Sequence, residues 1–422
     1  MGFIYSYIFL PKLILLAHIA ALFSKKIKVP LFERYHILEK IDVWLKLQKD
    51  SVKESVVIHS SSMGEFEHIK PLIKSIKERY DLNVIVTFFS PSGYDNVKQF
   101  SGVDLFLYLP FDFKGTWEKF YKRLNTKLLI ISKHDVWPNQ IKVANEKNIT
   151  SILVNASIGL NSSRSSFLAK LIIAPVYRCL NKIFVISDEH RQRLQKVFNC
   201  TNMEIVGDTK FDQVLFRKEQ NKNKRFFNNE WNSNQRVIAF GSLWPQDAEH
   251  TLIVTEKILS QYADVKVVIV PHQPSPEMIS FFLKYFEKTA IDIFSEGYDV
   301  KNRVLIINKI GVLADIYKNV DIAYVGGSFK QGIHNVMEPA IYGLPVIFGP
   351  THTNSFEAEQ LLKQEGAVVI KNKDDFENVI TKFLDDNNYK IRIGRNAYQF
   401  ALKNTGASKK IIKFIDTAIS YA

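Results

Sequence analysis

From residue 55 onward, short β-branched apolar runs alternate with amphipathic stretches. The runs Ser55 to His59, Asn83 to Thr87, Lys127 to Ser132, Ser151 to Asn155 and Ile183 to Ser187 read as buried strands. Between the first two, Phe66, Ile69, Ile73, Ile76 and Tyr80 recur at the spacing of one helix face. Such alternation predicts βαβ units and a parallel sheet. The pattern lapses over 217–235, a charged, Asn-rich stretch without period, which predicts a linker. It then resumes with Arg236 to Phe240, Val265 to Val270, Val304 to Ile307, Ile322 to Val325, Val346 to Phe348 and Ala367 to Ile370. The fold expected is α/β, with two doubly wound Rossmann-like domains facing across a cleft at the carboxyl ends of their strands. The expected boundaries are 1–28 for a membrane-anchoring segment, 29–216 and 236–422 for the two domains, with the last helix able to pack back on the first.

The N-terminus follows a different rule. Phe3 to Phe23 is almost wholly apolar, and Lys25, Lys26 and Lys28 come after it, whereas a secretory signal carries its charges ahead of its apolar run. Positive residues behind the run predict that the following chain stays in the cytoplasm. Lys12 and Pro11 in the middle of the run favour a helix lying in the inner leaflet over one crossing it.

Composition narrows the partners. The chain has 422 residues, 46% of them hydrophobic, enough for two cores. Its formal charge of +13 needs a solvated surface, an anionic lipid, a phosphorylated substrate or nucleic acid to explain it. The basic residues are dispersed and no nucleic-acid module is present, which ranks nucleic acid last. Two cysteines, Cys179 and Cys200, cannot build a disulfide framework.

Three constellations sit where strands end. Ser60-Ser61-Ser62-Met63-Gly64-Glu65 precedes the first helix. Ser62 and Glu65 have the spacing of a capping box; alternatively Glu65 is a general base at the cleft mouth, with Gly64 admitting an acceptor close to the backbone. Ser132 to Asn139 crowds Lys133, His134 and Asp135 on one βα loop, either a surface linker or part of a site. The third runs from Gly326-Gly327-Ser328 through His334, Asn335 and Glu338 to Gly349-Pro350. Asn335 with Glu338 could cap a helix, or the glycine-rich turn could meet a phosphate at that helix's N-terminus. The chain contains no G-x-G-x-x-G, P-loop, Asp-x-Asp or histidine-pair spacing, so dinucleotide, P-loop and resident-metal readings are weak.

In order and together these motifs resemble the Kdo (3-deoxy-D-manno-octulosonic acid) transferase family of lipopolysaccharide synthesis, over most of the chain. Ser61 to Glu65 matches A-S-x-G-E, Leu109-Pro110-Phe111-Asp112 matches L-P-x-D, and Lys133 to Asn139 stands for E-T-E-L-W-P-N. Asn155 to Gly159 and Gly207 to Asp212 correspond to N-A-R-[LIV]-S and G-N-x-K-F-D. Gly241 to Glu249 and Val270 to Pro274 follow G-S-T-H-x-G-E-E and V-P-R-H-P more loosely, and the Gly326 to Pro350 run matches best.

The resemblance implies a GT-B glycosyltransferase on the cytoplasmic face of the inner membrane, using CMP-Kdo as substrate with no cofactor. It implies Glu65 as catalytic base and nucleotide contacts from Pro271, His272, Ile310, Gly311, Val312, Asn335, Val336, Met337 and Glu338. Weaker donor or acceptor contacts fall to Ser62, Gly64, Lys133, Asp135, Lys210, Ser242, Gly327, Ser328 and His334. The acceptor implied is a lipid A precursor, attacked by inverting displacement without metal, at an anionic membrane surface. His272 replaces the family's usual Arg, and Lys133 and Asp135 replace two glutamates. Two rivals stay open: a GT-B transferase of another nucleotide sugar, such as a UDP-hexosamine, and a silent membrane-bound sugar-nucleotide binding protein, which those departures favour.

Overall fold

The computed structural model describes residues 4–420 except 49–52, 98–99, 160–161, 163–165, 223–225, 228–230, 232–234 and 295–299. The chain divides into two compact units, one made of Met1–Gln213 with Thr405–Ala422, the other of Val214–Asn404.

The first unit is built on a parallel sheet of seven strands: β1 (Ser55–Ser60), β2 (Asn83–Phe88), β3 (Leu105–Tyr108), β4 (Thr126–Ser132), β5 (Thr150–Ala156), β6 (Lys182–Val185) and β7 (Met203–Ile205), in the order β3-β2-β1-β4-β5-β6-β7. Its central strands are buried on both faces, so they read as continuous apolar runs rather than alternating ones. Val57, Ile85, Leu129 and Ile131 face one core with Trp117 and Phe120. Val56, Ile58, Val84 and Ile130 face the other, where Phe66, Ile69 and Ile73 of helix Met63–Arg79 pack with Ile411 and Ile415 of helix Ala407–Ser420. Asp212 ties that last helix down by accepting the backbone N–H groups of Gly406 and Ser408.

The second unit repeats the plan with β8 (Arg236–Leu243), β9 (Val265–Pro271), β10 (Ile291–Ile293), β11 (Val304–Ile306), β12 (Ile322–Val325), β13 (Val346–Phe348) and β14 (Ala367–Val369), ordered β10-β11-β9-β8-β12-β13-β14. Three strands escape the sequence reading, β3, β7 and β10, and each lies at the edge of its sheet.

The linker expected over 217–235 is corrected in part. Helix Thr209–Gln220 runs into it, and Arg217 and Lys218 contact Glu338 and the Ile341 carbonyl. Phe227 and Trp231 are buried in the second unit's core, and the Trp231 indole donates to the Asn302 carbonyl at 2.7 Å. Aromatic burial overrides the polar neighbours. The rest of that stretch lies partly outside the described residues.

At the N-terminus, a helical stretch from Tyr5 to Phe23 is long and apolar enough to cross a membrane. It breaks at Ser24, which is extended (φ −143°), and helices Lys25–Glu33 and Ile37–Leu47 follow, so the boundary expected at residue 28 falls inside a helix. The stretch is fastened to the first unit at its start. The Tyr5 hydroxyl donates to Asp112 at 2.9 Å, and Ser6 pairs with Asn139. Leu15, Leu16, Leu22 and Phe23 are left exposed.

Candidate functional site

In each sheet the chain reverses direction of winding between two neighbouring central strands, β1/β4 in the first unit and β8/β12 in the second. Loops leaving the carboxyl ends of such strands splay apart and open a crevice. The predicted constellations occupy these loops: residues 60–65 follow β1, 133–137 follow β4, 242–244 close β8, and 326–328 follow β12.

In the first unit Glu65 lies in the first turn of helix Met63–Arg79, 6% exposed. The capping box read from spacing does not form. Ser62 is the N-cap but its hydroxyl makes no capping bond, and Glu65 Oε2 accepts instead from the Ser61 N–H at 2.6 Å. Burial raises the Glu65 carboxyl above its ordinary range, against the Ser61 N–H and the positive field of Lys133. Nothing lies within 4 Å of where a side chain on Gly64 would begin, so the backbone beside Glu65 faces open space.

Asp135 arrives from the neighbouring strand. It accepts from His59 Nε2 at 2.9 Å and from the Ser61 hydroxyl at 3.1 Å. Burial works against its ionisation, yet these donors prevail and hold its carboxyl down to about 2. His59 is fully buried, with Thr87 Oγ1 at 3.0 Å from Nδ1. Sequence reading missed it; a histidine directly after the apolar run Val56 to Ile58, one residue before the motif, was the available signal. Lys133 holds a left-handed φ of 63°, a costly conformation for a lysine, and its field reaches both Glu65 and His68.

His68 is one helical turn from Glu65 and was also missed. Burial, then Lys133 and Lys210, push its imidazole down to about 4, opposed by Asp208 and Glu67. The predicted Lys133 and Lys210 therefore converge electrostatically on the same end of this helix as Glu65. Lys210 stands 3.6 Å from Asp208. Asn155, at φ 56°, holds the start of helix Thr209–Gln220, and with it Lys210, through two bonds with Thr209. Asp112 is different in kind. It is enclosed by Tyr5, Trp117 and the N–H groups of Asn139 and Gln140, so it builds the unit rather than meeting a substrate.

In the second unit Ser242 (φ 53°) turns the chain at the end of β8. A side chain on Gly326 would strike the Ser242 carbonyl at 2.3 Å, and one on Gly327 (φ 88°) the Gly332 carbonyl at 2.4 Å, so glycine is required at both. Asp247 locks the arrangement, accepting from the Trp244 N–H (3.0 Å), the Gly327 N–H (2.7 Å) and the Tyr324 hydroxyl (2.8 Å). Ser328 is buried and takes the Gly349 N–H at 2.6 Å, so its hydroxyl holds two loops together.

Three rings stack above Gly327: His272 lies between Trp244 (centroids 4.5 Å) and His334 (4.4 Å). The Trp244 indole N–H donates to His334 Nε2 at 2.9 Å. Burial lowers His272, and burial with the His272 charge lowers His334 to about 4. Both are neutral at pH 7, so His272 offers a stacking face and not the positive charge of an arginine. Pro271 ends β9 below it.

Two of the remaining predicted nucleotide contacts, Gly311 and Glu338, meet at Arg217, which sequence reading did not single out. Its guanidinium pairs with Glu338 at 2.9 Å and reaches the Gly311 carbonyl at 3.4 Å. Ile310 is 79% exposed beside Gly311 (φ 84°), whereas Val312, Val336 and Met337 are packed inward and could touch a ligand only through their backbones. The expected helix cap is displaced by one residue. Helix Met337–Ile341 is five residues long, Val336 is its N-cap, and Asn335 Oδ1 takes the Met337 N–H. So short a helix supplies little dipole. Among the described residues no three His, Cys, Asp or Glu side chains cluster to hold a metal.

Residues 31–213 match the family model described as 3-deoxy-D-manno-octulosonic-acid transferase (kdotransferase). The 3-deoxy-D-manno-octulosonic acid transferase of Haemophilus influenzae is 24% identical over 379 residues, 86% of each chain. That of Aquifex aeolicus is 26% identical over 350 residues, 80% of this chain and 88% of the relative. Among solved structures, UDP-GlcNAc 2-epimerase from Neisseria meningitidis bound to UDP-GlcNAc superposes with a TM-score of 0.62, covering 86% of this chain and 100% of that one. At 11% identity this last likeness shows the fold alone, two Rossmann-like units of the GT-B type.

Proposed function

We propose that this relative of the bacterial Kdo transferases moves Kdo from CMP-Kdo onto a lipid A precursor, with Glu65 as general base. The observation that carries the reading is Glu65 itself. It is buried at the β1/β4 switch point with its carboxyl raised, holds a single N–H donor, and borders the open space at Gly64. A carboxylate base raised by burial accepts a proton more readily. Glu65 removes the proton of an acceptor hydroxyl, that oxygen bonds to the anomeric carbon of Kdo, and the bond to CMP breaks with inversion. Asp135, held ionised by His59, fixes Ser61 and through it the donor to Glu65.

The leaving phosphate needs positive charge. Burial disfavours the charged forms of His272 and His334, and the five-residue helix contributes little, so the role falls to Arg217, which meets the proposed contacts Glu338 and Gly311. No metal takes part in this scheme. CMP should bind in excess EDTA, with an affinity that stays flat between pH 9 and 7 because neither histidine of the stack titrates there. Calorimetry checks both points: a strict need for Mg²⁺, or a ten-fold change across that range, would overturn this account of the donor site. Assay with CMP-Kdo against UDP-hexosamines, and mass analysis of lipid A from cells lacking the gene, test the donor and acceptor.

The apolar helix is read as lying in the inner leaflet from the cytoplasmic side. Tyr5 and Ser6 are bonded to Asp112 and Asn139, and Leu10 is buried, which holds the helix along the unit rather than away from it. Exposed Lys25, Lys26 and Lys28 would meet anionic head groups. Deleting residues 1–36 should move most of the protein from the membrane pellet to the supernatant. Unchanged sedimentation would place the attachment elsewhere.

A further inference from the structure

A pocket in the first unit lies between the N-terminal helices and the loops after β2 and β3. It holds about 410 Å³, and its walls are Leu10, Leu13, Ile14 and Ala17 on one side and Phe89, Leu109, Phe111 and Trp137 on the other. A cavity of this size lined by hydrocarbon suits one apolar chain.

Its rim is not apolar. Arg34 lines it, half-buried, with its guanidinium donating to the Leu109 and Phe89 carbonyls at 2.6 Å each and lying over the Phe89 ring at 4.7 Å. Among the described residues no carboxylate pairs with Arg34, and Lys26 stands at the same pocket. The Asp135 charge reaches Arg34 without a direct ion pair, and a partly buried cation in that position favours a further anionic partner.

The wall beside Arg34 is also the wall of the Glu65 site. Phe89 stacks on Trp137 at 5.6 Å, the next residue, Ser90, donates its N–H to the Ser61 carbonyl at 2.8 Å, and Ser61 in turn holds Glu65. Trp137 lies two residues from Asp135. We propose that this pocket seats one fatty-acyl chain of the anionic glycolipid acceptor, with the phosphorylated headgroup leaving at Arg34 and Trp137 toward Glu65. The inference rests on the transferase reading above and adds the acceptor's anchoring point to it. A bulk phospholipid held there would park its own headgroup in front of the base, which argues for the acceptor as occupant. Each methylene withdrawn from water adds about four-fold in affinity, so one seated chain decides which glycolipids are used at low concentration.

The test compares full-length enzyme with Ala17→Trp, which fills the pocket, in detergent micelles. The acceptors are a fully acylated phosphorylated glucosamine disaccharide and its chemically deacylated form. The expected result is a KM for the acylated acceptor raised at least ten-fold by Ala17→Trp, with kinetics on the deacylated acceptor and CMP binding unchanged. Leu13→Trp, from the next turn, gives the same reading should Ala17→Trp fail to fold. Equal losses on both acceptors, or no change on either, would overturn the proposal. So would an unchanged KM with weakened partitioning onto phosphatidylglycerol vesicles, which would assign the pocket to bulk phospholipid. Wild-type enzyme inactive on both acceptors would instead remove the transferase reading itself.

Discussion

Replacing Glu65 by Gln should lower turnover by roughly a hundred- to ten-thousand-fold while leaving CMP affinity and melting temperature close to wild type. The amide keeps the size of the side chain and can still accept the Ser61 N–H through its oxygen. What it loses is the capacity to take a proton. A residue serving only to hold the Ser61 loop would tolerate the change, and near-normal turnover would take Glu65 out of the mechanism. The wild-type rate should also fall on the acid side, with an apparent pKa above the value of about 4.3 for a free glutamate, because burial raises this carboxyl. Ser62→Ala separates the two readings further. Its hydroxyl makes no capping bond, so this change should cost less than the roughly 1 kcal/mol of a lost cap and should leave turnover near normal.

Asp112→Ala should be the most damaging single substitution in the first unit, by about 3–5 kcal/mol, with the melting temperature down by about 10 °C. Four donors converge on that carboxylate: the Tyr5 hydroxyl, the Trp117 indole and the N–H groups of Asn139 and Gln140. Alanine leaves all four unsatisfied in a site closed to water. Asp112→Asn should cost less and should also change the pH dependence. Burial lifts the carboxyl from 3.8 to about 6, so the folded protein holds this proton more tightly than the unfolded chain. The stability linked to it is complete below pH 4 and is lost as pH rises through 6. Asparagine has no such titration, and denaturant melts between pH 4 and 7 should show that part of the slope gone. A slope equal to that of the wild type would assign it to other groups.

What could be read from the residues follows from burial. The inner strands of both sheets are covered on both faces, so their apolar runs announce them, and Val56 to Ile58 or Val267 to Ile269 admit no other reading. Strands β3, β7 and β10 sit at sheet edges and are three or four residues long, and Glu204 and Asp292 break the apolar runs of β7 and β10. The stretch after Arg217 misled because Lys and Asn outnumber its aromatic residues, although Phe227 and Trp231 decide its burial. The loops at the switch points were legible, since motif order marked Glu65, Lys133 and His334. Their chemistry was not. That His272 lies neutral within a ring stack, and that Arg217 joins Gly311 to Glu338, depend on distances between segments far apart in the chain. His59 and His68 were hidden for the opposite reason: each sits in an apolar or amphipathic run where a single polar residue passes for a satisfied core group.

The last helix has a consequence for how the chain is made. Ala407, Ile411, Ile412 and Ile415 belong to a core whose other side chains come from the first half of the protein. A ribosome working at about 5–20 residues per second needs roughly ten to forty seconds to deliver the second unit that separates them. During that time the first unit is complete in sequence up to Gln213 yet lacks one wall of its hydrophobic interior, and the N–H partners of Asp212 have not been synthesised. Its apolar N-terminal helices are already available to bind lipid. A chain attached through these helices, as proposed above, would meet the membrane while its first unit is still open, and closure would wait for Thr405–Ala422.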